Sequence, residues 1–331
     1  MSRGQLGVGG AFFPYPYHSW VPNDLTIVMY HYVRDFTRTR YPGIKGLDVA
    51  GFRRQLDHLQ SKFEILRMED VIGATRGGAL PANSALLTFD DGYAEHYDVV
   101  FPILHQRGLQ GSFFPPVVPV RDGVLLDVNR VHFILASANS SADVADALDE
   151  EVSAAGDEYG LRSIADYRAE WAHPFRWDAA ETIYVKRMLQ TALPEQLRSE
   201  IAAKLFERFV RVDEATFAAE QYLTEDQARV MVANGMYFGS HGATHRWLNR
   251  VDRPMLEREI DLSLQFLSDL GMPTDEHWVM CYPFGGHNPE VVEVLRERNC
   301  TIGLTTEVAT AVIGEHDPLL LPRYDTNDFP Q

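Results

Sequence analysis

Short apolar runs alternate with amphipathic stretches along most of the chain. Residues with β-branched and aromatic side chains favour extended backbone, so the runs predict strands. The seven predicted strands are residues 26–30, 63–68, 85–89, 111–117, 236–240, 277–282 and 301–306. Alternation of strands with helical patterns predicts an α/β fold with a parallel sheet, open or closed into a barrel.

Helices between these strands are indicated by apolar spacing and by residues that start or end helices. Asn288 followed by Pro289 predicts a helix start after the sixth strand, and Gly271 predicts a helix end before it. The apolar positions of the first helix are Val49, Phe52, Leu56 and Leu59. Their spacing of three or four residues buries one helix face against the sheet.

A long interval, residues 121–222, shows helical patterns and no convincing strand. The pairs Asp178/Glu181 and Thr224/Gln227 are typical of capping boxes at helix starts. So much helix exceeds a single crossover between strands. We interpret the interval as a helical insertion on the barrel rim, with a substrate lid or a dimer contact as alternatives.

The sequence therefore divides into three parts. Residues 25–331 are predicted to form the barrel, residues 121–222 the helical insertion within it, and residues 1–24 an N-terminal extension.

Composition narrows the possible partners. The net charge of −17 disfavours nucleic acid and anionic membrane surfaces, because an acidic protein is repelled by phosphate. No apolar run approaches the roughly 20 residues of a membrane-spanning helix. The start of the sequence lacks the basic-then-apolar pattern of a secretory leader, which predicts a cytoplasmic location. The two cysteines, Cys281 and Cys300, are expected to be reduced and buried.

Two adjacent carboxylates, Asp90 and Asp91, end the third predicted strand and precede Gly92. Such a pair repels itself unless a cation lies between the groups or one is protonated. In α/β barrels the working groups lie at the carboxyl ends of the strands. Alone, the three residues are equally typical of a turn.

A second cluster follows the fifth strand, where His241 and His245 are four residues apart. In a helical turn this spacing brings both imidazoles to one face. Two imidazoles and one carboxylate form a common ligand set for catalytic Zn²⁺. The pattern predicts that one acid of the Asp pair binds the cation while the other stays ionised beside it.

A third stretch, residues 281–288 (CYPFGGHN), follows the sixth strand. Pro283, Gly285 and Gly286 predict an exposed loop at the same end of the barrel. Such a loop can present a backbone N–H to a developing oxyanion.

Taken in this order, the three stretches resemble the polysaccharide deacetylase (NodB-homology) family, carbohydrate esterase family four. The family motif T-F-D-D-G is intact at residues 88–92, H-[ST]-x-x-H corresponds to residues 241–245, and R-x-P-Y-G is represented by CYPFG. The resemblance implies a distorted (β/α)7-type barrel. It covers the chain from about residue 25 onward, apart from the helical interval.

The resemblance also implies a mechanism. Asp91, His241 and His245 would hold a divalent metal, Zn²⁺ being the first candidate. Asp90 would be the general base that activates water, and the backbone N–H of Phe284 would stabilise the oxyanion. The implied reaction is hydrolysis of an N-acyl group, most often N-acetyl on an amino sugar.

Three positions depart from the family pattern. Gly242 replaces the usual Ser or Thr, and Cys281 replaces the Arg that braces the catalytic Asp. The final family motif lacks its His, since the corresponding LPRYDTND begins at residue 321. We expect Arg323 to brace Asp90 instead and His287 to act as the general acid.

Four further residues are candidates for contact with the substrate. His31 follows the first strand and faces the same barrel mouth, and Trp247 could stack on a sugar ring. Tyr282 and Asp325 belong to the third and final motifs. A purely structural role fits His31, His287 and Trp247 equally well.

The expected function is metal-dependent removal of an N-acyl group from an amino-sugar, sugar-nucleotide or glycan substrate. The PRYDTND ending is similar to branches of the family linked to surface-glycan biosynthesis. Two alternatives remain open: a deformylase or O-deacetylase acting on a small sugar, and a non-catalytic glycan-binding barrel. No nucleic acid or membrane partner is expected, and a homo-oligomer is possible.

Overall fold

A computed structural model describes residues 23–176 and 178–330. The predicted N-terminal extension, residues 1–24, lies outside the described residues apart from its last two. The strands are β1 (Asp24–Tyr30), β2 (Val33–Arg34), β3 (Leu47–Asp48), β4 (Glu64–Ile65), β5 (Ser84–Asp90), β6 (Ser112–Phe114), β7 (Tyr237–Phe238), β8 (Val279–Cys281), β9 (Ile302–Leu304), β10 (Ala311–Val312) and β11 (Tyr324–Asp325).

Thirteen α-helices accompany these strands in the described residues. They are α1 (Val49–Lys62), α2 (Met68–Thr75), α3 (Phe101–Gln106), α4 (Val117–Asp122), α5 (Asp127–Ser137), α6 (Ser141–Tyr159), α7 (Ile164–Trp171), α8 (Ala180–Arg187), α9 (Glu195–Phe209), α10 (Glu214–Gln221), α11 (Glu225–Ala233), α12 (Arg253–Asp269) and α13 (Pro289–Glu297). Two π-helical turns span His96–Val100 and Met188–Ala192. No described helix is both long and apolar enough to cross a lipid bilayer.

The strands form a distorted barrel. The main sheet has the order β10-β1-β5-β6-β7, with β11 parallel to β1 and β4 parallel to β5. An isolated bridge between Ser240 and Met280 continues the ring to the β8–β9 pair, and a bridge between Leu304 and Leu321 continues it towards β11. Because β11 returns to β1, the ring closes, which confirms the predicted α/β barrel class.

Strand β5 lies in the middle of the main sheet and positions the site. All seven of its residues are buried, as expected for a parallel strand covered on both faces. Its last residue, Asp90, pairs in register with Phe114 of β6. The two acids therefore project from the carboxyl end of the barrel.

Each of the seven predicted strands overlaps an observed one. The first and third fall just inside β1 and β5, whereas the bounds of the other five are too long. The second predicted strand, residues 63–68, shows why a predicted strand can be too long. Met68 already begins α2, so only Glu64 and Ile65 pair with β5. The short strands β2, β3, β10 and β11 have two residues each, too few for a recognisable alternation of side chains.

Most predicted helix boundaries are observed. Asn288 caps α13, Thr224 and Gln227 form a capping box on α11, and Gly271 follows α12 with a φ of 88°. The capping box predicted for Asp178 and Glu181 is wrong. Helix α8 begins at Ala180 without a side-chain cap. The Asp178 carboxylate instead accepts hydrogen bonds from Lys45 and Lys186.

Between β6 and β7, helices α5 to α10 fill the described part of residues 121–222. Their apolar faces share one core cluster with Tyr32, Ile44 and Tyr93 from the barrel. An isolated bridge joins Tyr93, three residues after Asp90, to Tyr222 at the end of the interval. The helices therefore pack directly against the loop that carries the acid pair.

Candidate active site

Asp91, His241 and His245 meet at the carboxyl end of the barrel. The Oδ1 atom of Asp91 lies 3.4 Å from Nε2 of His241 and 3.3 Å from Nε2 of His245. All three side chains are buried, and one ligand atom of each lies within 4.8 Å of the others. This arrangement gathers two imidazoles and one carboxylate oxygen around a common point.

The donor set fits a divalent cation. Asp91 Oδ1 is buried and has no hydrogen-bond partner among the described residues, an arrangement that is costly for a carboxylate unless a cation is bound. The Nδ1 atom of His241 lies 2.6 Å from the carbonyl oxygen of Cys281. Because a carbonyl only accepts, Nδ1 carries a proton, which leaves Nε2 as the nitrogen that would bind an ion beside Asp91. Nitrogen and carboxylate ligands suit Zn²⁺.

The backbone at the site adopts an uncommon conformation at three non-glycine residues. Asp91, His245 and Phe284 have φ values of 70°, 58° and 57°. Positive φ is rare outside glycine, and such strain concentrates at functional sites where surrounding structure holds it in place. Each of the three motifs predicted from the sequence contributes one of these residues.

A buried carboxylate from α12 shapes the histidine loop. Glu259 accepts hydrogen bonds from the backbone N–H groups of Ala243 and Thr244, at 2.9 and 2.8 Å, and from the Thr244 hydroxyl at 2.6 Å. Gly242 has a φ of 70°, and a Cβ there would lie 3.2 Å from Oε2 of Glu259. Glycine therefore fits this position. Glu259 is not among the residues predicted for the site, although its place on the buried face of a helix is a recognisable signal.

Asp90 forms a two-pronged ion pair with Arg323. Nη1 and Nη2 of Arg323 each lie 2.9 Å from a carboxylate oxygen of Asp90. Arg323 is itself 1% exposed and also donates to Thr88 Oγ1 at 3.2 Å and to the carbonyl oxygen of Thr305 at 2.8 Å. Burial favours a raised pKa for Asp90, but the charge of Arg323 and the nearby imidazoles outweigh it. The pKa of Asp90 therefore lies below its usual value, and the group is ionised at neutral pH.

His31 lies beside this ion pair. Its Nε2 atom is 4.0 Å from Oδ2 of Asp90, and its side chain is 37% exposed. The carbonyl oxygen of His31 lies 2.9 Å from Nε2 of the buried His96, which fixes the backbone. His31 is therefore an imidazole beside Asp90 that a substrate can reach.

Three residues predicted to lie at the site make contacts elsewhere: Tyr282, His287 and Asp325. Tyr282 is fully buried and donates to the carbonyl oxygen of Leu319 at 2.7 Å, so its assignment to substrate binding is wrong. The contacts of His287 are with the Gly285 carbonyl and the Tyr282 ring, whereas His31 lies beside Asp90. None of these contacts joins His287 to Asp90, so its role as the general acid stays a prediction without a contact to support it.

Asp325, expected to contact substrate, instead has a local structural partner. Its Oδ1 atom accepts from the Asn327 backbone at 2.8 Å and from the Asn327 side chain at 2.6 Å. Its own N–H donates to Asp328, which completes a reciprocal cap on a short 3-10 turn. This geometry assigns Asp325 to the chain terminus rather than to the site.

Phe284 and Trp247 form an aromatic wall next to the histidines. Their rings stack 4.8 Å apart and nearly parallel, and the His245 ring lies 4.5 Å from that of Phe284. The two hydrogen bonds of the surrounding turn run from Gly285 and Gly286 to earlier carbonyls and do not involve the Phe284 N–H. The role of that N–H as oxyanion donor stays a prediction.

A buried network connects Asp91 to the helical insertion. Tyr93 donates to Oδ2 of Asp91 at 2.5 Å, and Nδ2 of Asn129 on α5 donates to the Tyr93 oxygen at 2.9 Å and to the Tyr32 oxygen at 2.8 Å. The Tyr222 hydroxyl donates to Oδ1 of Asn129. Burial and the Asp91 charge hold the pKa of Tyr93 well above its usual value, so its phenol stays a donor. This network is not predicted from the sequence, because Asn129 lies far from every motif.

A cavity of about 510 Å³ opens beside His245. Helices α5 and α9 of the insertion form one side, and the segment from Thr244 to Val251 together with Phe284 forms the other. Trp247, a sequence-predicted substrate residue, is part of its lining. The volume lies within the range typical of small-molecule sites.

Comparison with known proteins agrees with this fold and site. The family model for polysaccharide deacetylases matches residues 207–303, which contain the second and third motifs. No curated protein sequence gives a match.

Several solved structures are similar to the chain over most of its length. Deacetylase PplD of Streptococcus pyogenes, solved in complex with acetate, has 16% identity and a TM-score of 0.55, with 92% of this chain and 93% of that chain covered. The BpsB deacetylase domain of Bordetella bronchiseptica has 15% identity and a TM-score of 0.52, covering 92% and 96%. A polysaccharide deacetylase from Bacillus cereus has 16% identity and a TM-score of 0.52, covering 92% and 65%.

The fold and the three convergent motifs define an α/β barrel with a candidate metal site at the carboxyl ends of its strands. The barrel is similar in fold to the solved deacetylase structures, and the family model over residues 207–303 confirms the resemblance to the polysaccharide deacetylases drawn from the motifs.

Proposed function

We propose that this protein is a metal-dependent deacetylase that hydrolyses the N-acetyl group of an amino sugar. The observation that carries the proposal is the meeting of the unpaired Asp91 Oδ1 with the imidazoles of His241 and His245, beside the Asp90–Arg323 pair. The polysaccharide deacetylase family match and the similar solved structures, which are themselves named deacetylases, support it.

In this proposal Asp91, His241 and His245 hold the ion, with Zn²⁺ as the first candidate. A divalent ion bound there would acidify water and polarise an acyl carbonyl. Ionised Asp90 takes the proton from the attacking water, and Arg323 keeps the carboxylate oriented.

Two further groups serve the reaction in this proposal. The Phe284 N–H donates to the oxygen of the tetrahedral intermediate, since the surrounding turn does not use it. His31 is placed to give a proton to the leaving amine, because it lies beside Asp90 and remains exposed to the barrel mouth.

The finer aspects of the proposal come from the sequence. We infer an amino-sugar, sugar-nucleotide or glycan-precursor substrate in surface-glycan biosynthesis. A cytoplasmic location and a homo-oligomeric state are predictions that cell fractionation and light scattering would test.

The test combines metal content with product release. Zinc-loaded protein should release acetate from N-acetylated oligosaccharides, and Asp90→Asn should lower kcat at least about 100-fold while metal stays bound. His241→Ala should lose the metal. The exposed residues Asp98 and His105 offer matched controls, Asp98→Asn and His105→Ala, which should behave like the parent protein.

Three results would contradict the proposal. Activity that survives Asp90→Asn would exclude Asp90 as the base, and unchanged metal stoichiometry in His241→Ala would exclude the ligand set. Absence of any hydrolysis by the metal-loaded protein would favour a binding barrel. Release of formate, or of acetate from an ester, would instead identify a deformylase or an O-deacetylase.

A further inference from the structure

We propose that the cavity beside His245 binds an anionic group of the substrate, a phosphate or a carboxylate, through Arg198 and Arg250. This inference deepens the proposed function and rests on it, because it names the class of amino sugar that the deacetylase would accept. The substrate would be an amino-sugar phosphate or nucleotide, or an oligosaccharide that contains a uronate.

Positive charge dominates the cavity wall. Its lining contains four arginines and two carboxylates, namely Arg130, Arg198, Arg246, Arg250, Asp127 and Glu195. Arg130 pairs with Asp127 and with Glu214, and Arg246 lies 3.2 Å from Glu195. This pairing uses both carboxylates of the wall.

Arg198 and Arg250 take no part in these ion pairs. Within the described residues neither has a carboxylate oxygen within 4.0 Å, which is unusual for a partly buried guanidinium such as that of Arg198. Burial lowers the pKa of Arg198; Glu195 and Asp127 oppose this shift, and smaller effects of Arg250 and Arg246 add to it. Because neither Arg198 nor Arg250 has a close carboxylate partner, an anion in the cavity would supply one.

One hydrogen bond holds each guanidinium group, and Arg250 also lies over an aromatic ring. Nη1 of Arg198 donates to the carbonyl oxygen of Gln190 at 2.6 Å. Nη1 of Arg250 donates to the carbonyl oxygen of Thr191 at 3.2 Å, and its guanidinium lies 5.1 Å from the ring centroid of Trp247. Each contact uses one nitrogen, so the other guanidinium N–H groups remain for the planar, two-pronged recognition of an oxyanion.

The position of the cavity links the anion to the reaction. His245 and Phe284 belong both to the cavity lining and to the candidate active site. An anionic group held at Arg198 and Arg250 would therefore belong to the same molecule as the acyl group presented to Asp90. The protein as a whole carries a net charge of −17 and repels anions at long range, so an anionic substrate requires a local cationic wall of this kind.

Binding provides the first test, independent of catalysis. Titration calorimetry on the full-length protein, after removal of metal and chelator, would use inorganic pyrophosphate as the phosphate probe and glucuronate as the carboxylate probe. At least one should bind, and added salt should weaken the binding. Arg198→Gln and Arg250→Gln should each weaken it by about tenfold or more, because hydrogen bonds to charged groups are lost.

Arg54→Gln on the exposed face of α1 is the matched control and should bind like the parent protein. Thermal melting of each variant verifies that it is folded. Pyrophosphate binding alone would identify a phosphorylated substrate, and glucuronate binding alone a uronate. Binding of neither probe, or equal binding by the cavity variants and the control, would overturn the inference.

Catalysis separates this inference from the proposed function. With zinc-loaded protein, kcat/KM for N-acetylglucosamine 1-phosphate, or for a uronate-containing N-acetylated disaccharide, should exceed that for a neutral methyl glycoside. Arg198→Gln should reduce this preference by about tenfold. If a neutral sugar is deacetylated equally well, the inference fails while the proposed function stands. If anions bind through the arginines but nothing is hydrolysed, the proposed function fails while the anion site stands.

Discussion

The ion pair between Asp90 and Arg323 shows how a single residue can take the place of another from a distant part of the chain. The family pattern has an arginine where this protein has Cys281. Cys281 is fully buried beside Asp90 and His241, and the guanidinium of Arg323 reaches Asp90 from the segment before β11. Arg323 can reach Asp90 because β11 lies beside β1, and β1 lies next to β5, the strand that ends at Asp90.

Removing the side-chain charge of Arg323 should destabilise the folded protein. Arg323→Met leaves the Asp90 carboxylate buried without its partner, so we expect the free energy of unfolding to fall by about 3–5 kcal/mol. The double variant Arg323→Met/Asp90→Asn removes both charges and should recover part of this loss. Urea unfolding of the two variants measures both values.

An exposed arginine serves as the control for this experiment. Arg296 pairs with Asp317 at the surface, and its side chain is 60% exposed. Arg296→Met should change the stability by at most about 1 kcal/mol. A loss in Arg323→Met as small as that in the control, or no recovery in the double variant, would show that the pair does not stabilise the fold.

At this scale the sequence predicts residues whose chemistry is concentrated in short motifs. Asp91, His241 and His245 could be identified because each motif ends a strand and the strands share one barrel end. Glu259 and Asn129 could not, because their importance depends on neighbours that only the folded chain supplies.

Among the elements, helix α5 has the most direct connection to the site. Through Asn129 it fixes the phenol of Tyr93, which in turn donates to Oδ2 of Asp91. Oδ1 of the same carboxylate is thereby left to face His241 and His245. The insertion therefore acts as a positioning element for the Asp91 carboxylate, a candidate metal ligand.

Removing the hydrogen bond between Asn129 of α5 and Tyr93 should weaken metal binding. Asn129→Leu removes the donor to Tyr93 and leaves Asp91 free to rotate, so we expect the dissociation constant for Zn²⁺ to rise by about 10- to 100-fold. Tyr93→Phe should act in the same direction. Competition with a coloured chelator measures both.

Val131→Ala is the matched control, since Val131 is fully buried on the same helix and has no part in the network. It destabilises the insertion through a cavity but should leave metal affinity unchanged. Equal effects of Asn129→Leu and Val131→Ala on metal affinity would contradict the prediction. They would mean that α5 affects metal binding only through the stability of the insertion.

Elements with their own strong pattern were predicted well, and those formed by tertiary pairing were not. Helices α1, α12 and α13 have apolar faces and start or stop residues within their own sequence. Strands β10 and β11 have two residues each and exist because β1 lies next to them. Their role in closing the barrel is therefore absent from any local signal.

On the scale of the whole molecule, the buried His96 and the half-buried His132 couple the fold to pH. Burial lowers the pKa of His96 to about 4, against an ordinary value of 6.5. Burial, together with Lys186, lowers that of His132 to about 3. One lies beneath the acid loop and the other within the insertion, so both parts of the protein depend on neutral imidazoles.

The sign of the pH effect follows from proton binding. As the pH falls through 6.5, His96 of the unfolded chain takes up a proton that the folded protein does not accept until about pH 4. Folded stability should therefore decrease across this window. For His96 alone, the loss should amount to about 3 kcal/mol when complete.

The variant His96→Gln separates the contribution of His96 to the pH dependence of stability from those of the other titrating groups. Urea unfolding of the parent protein and of His96→Gln, between about pH 7 and about pH 4, gives the difference in free energy of unfolding at each pH. That difference should shrink as the pH falls, because only the parent protein has a proton to exclude. His105→Gln, at an exposed position on α3, should show a constant difference. A His96→Gln difference that is independent of pH would mean that His96 is protonated in the folded protein, and that the packing around it tolerates a buried charge.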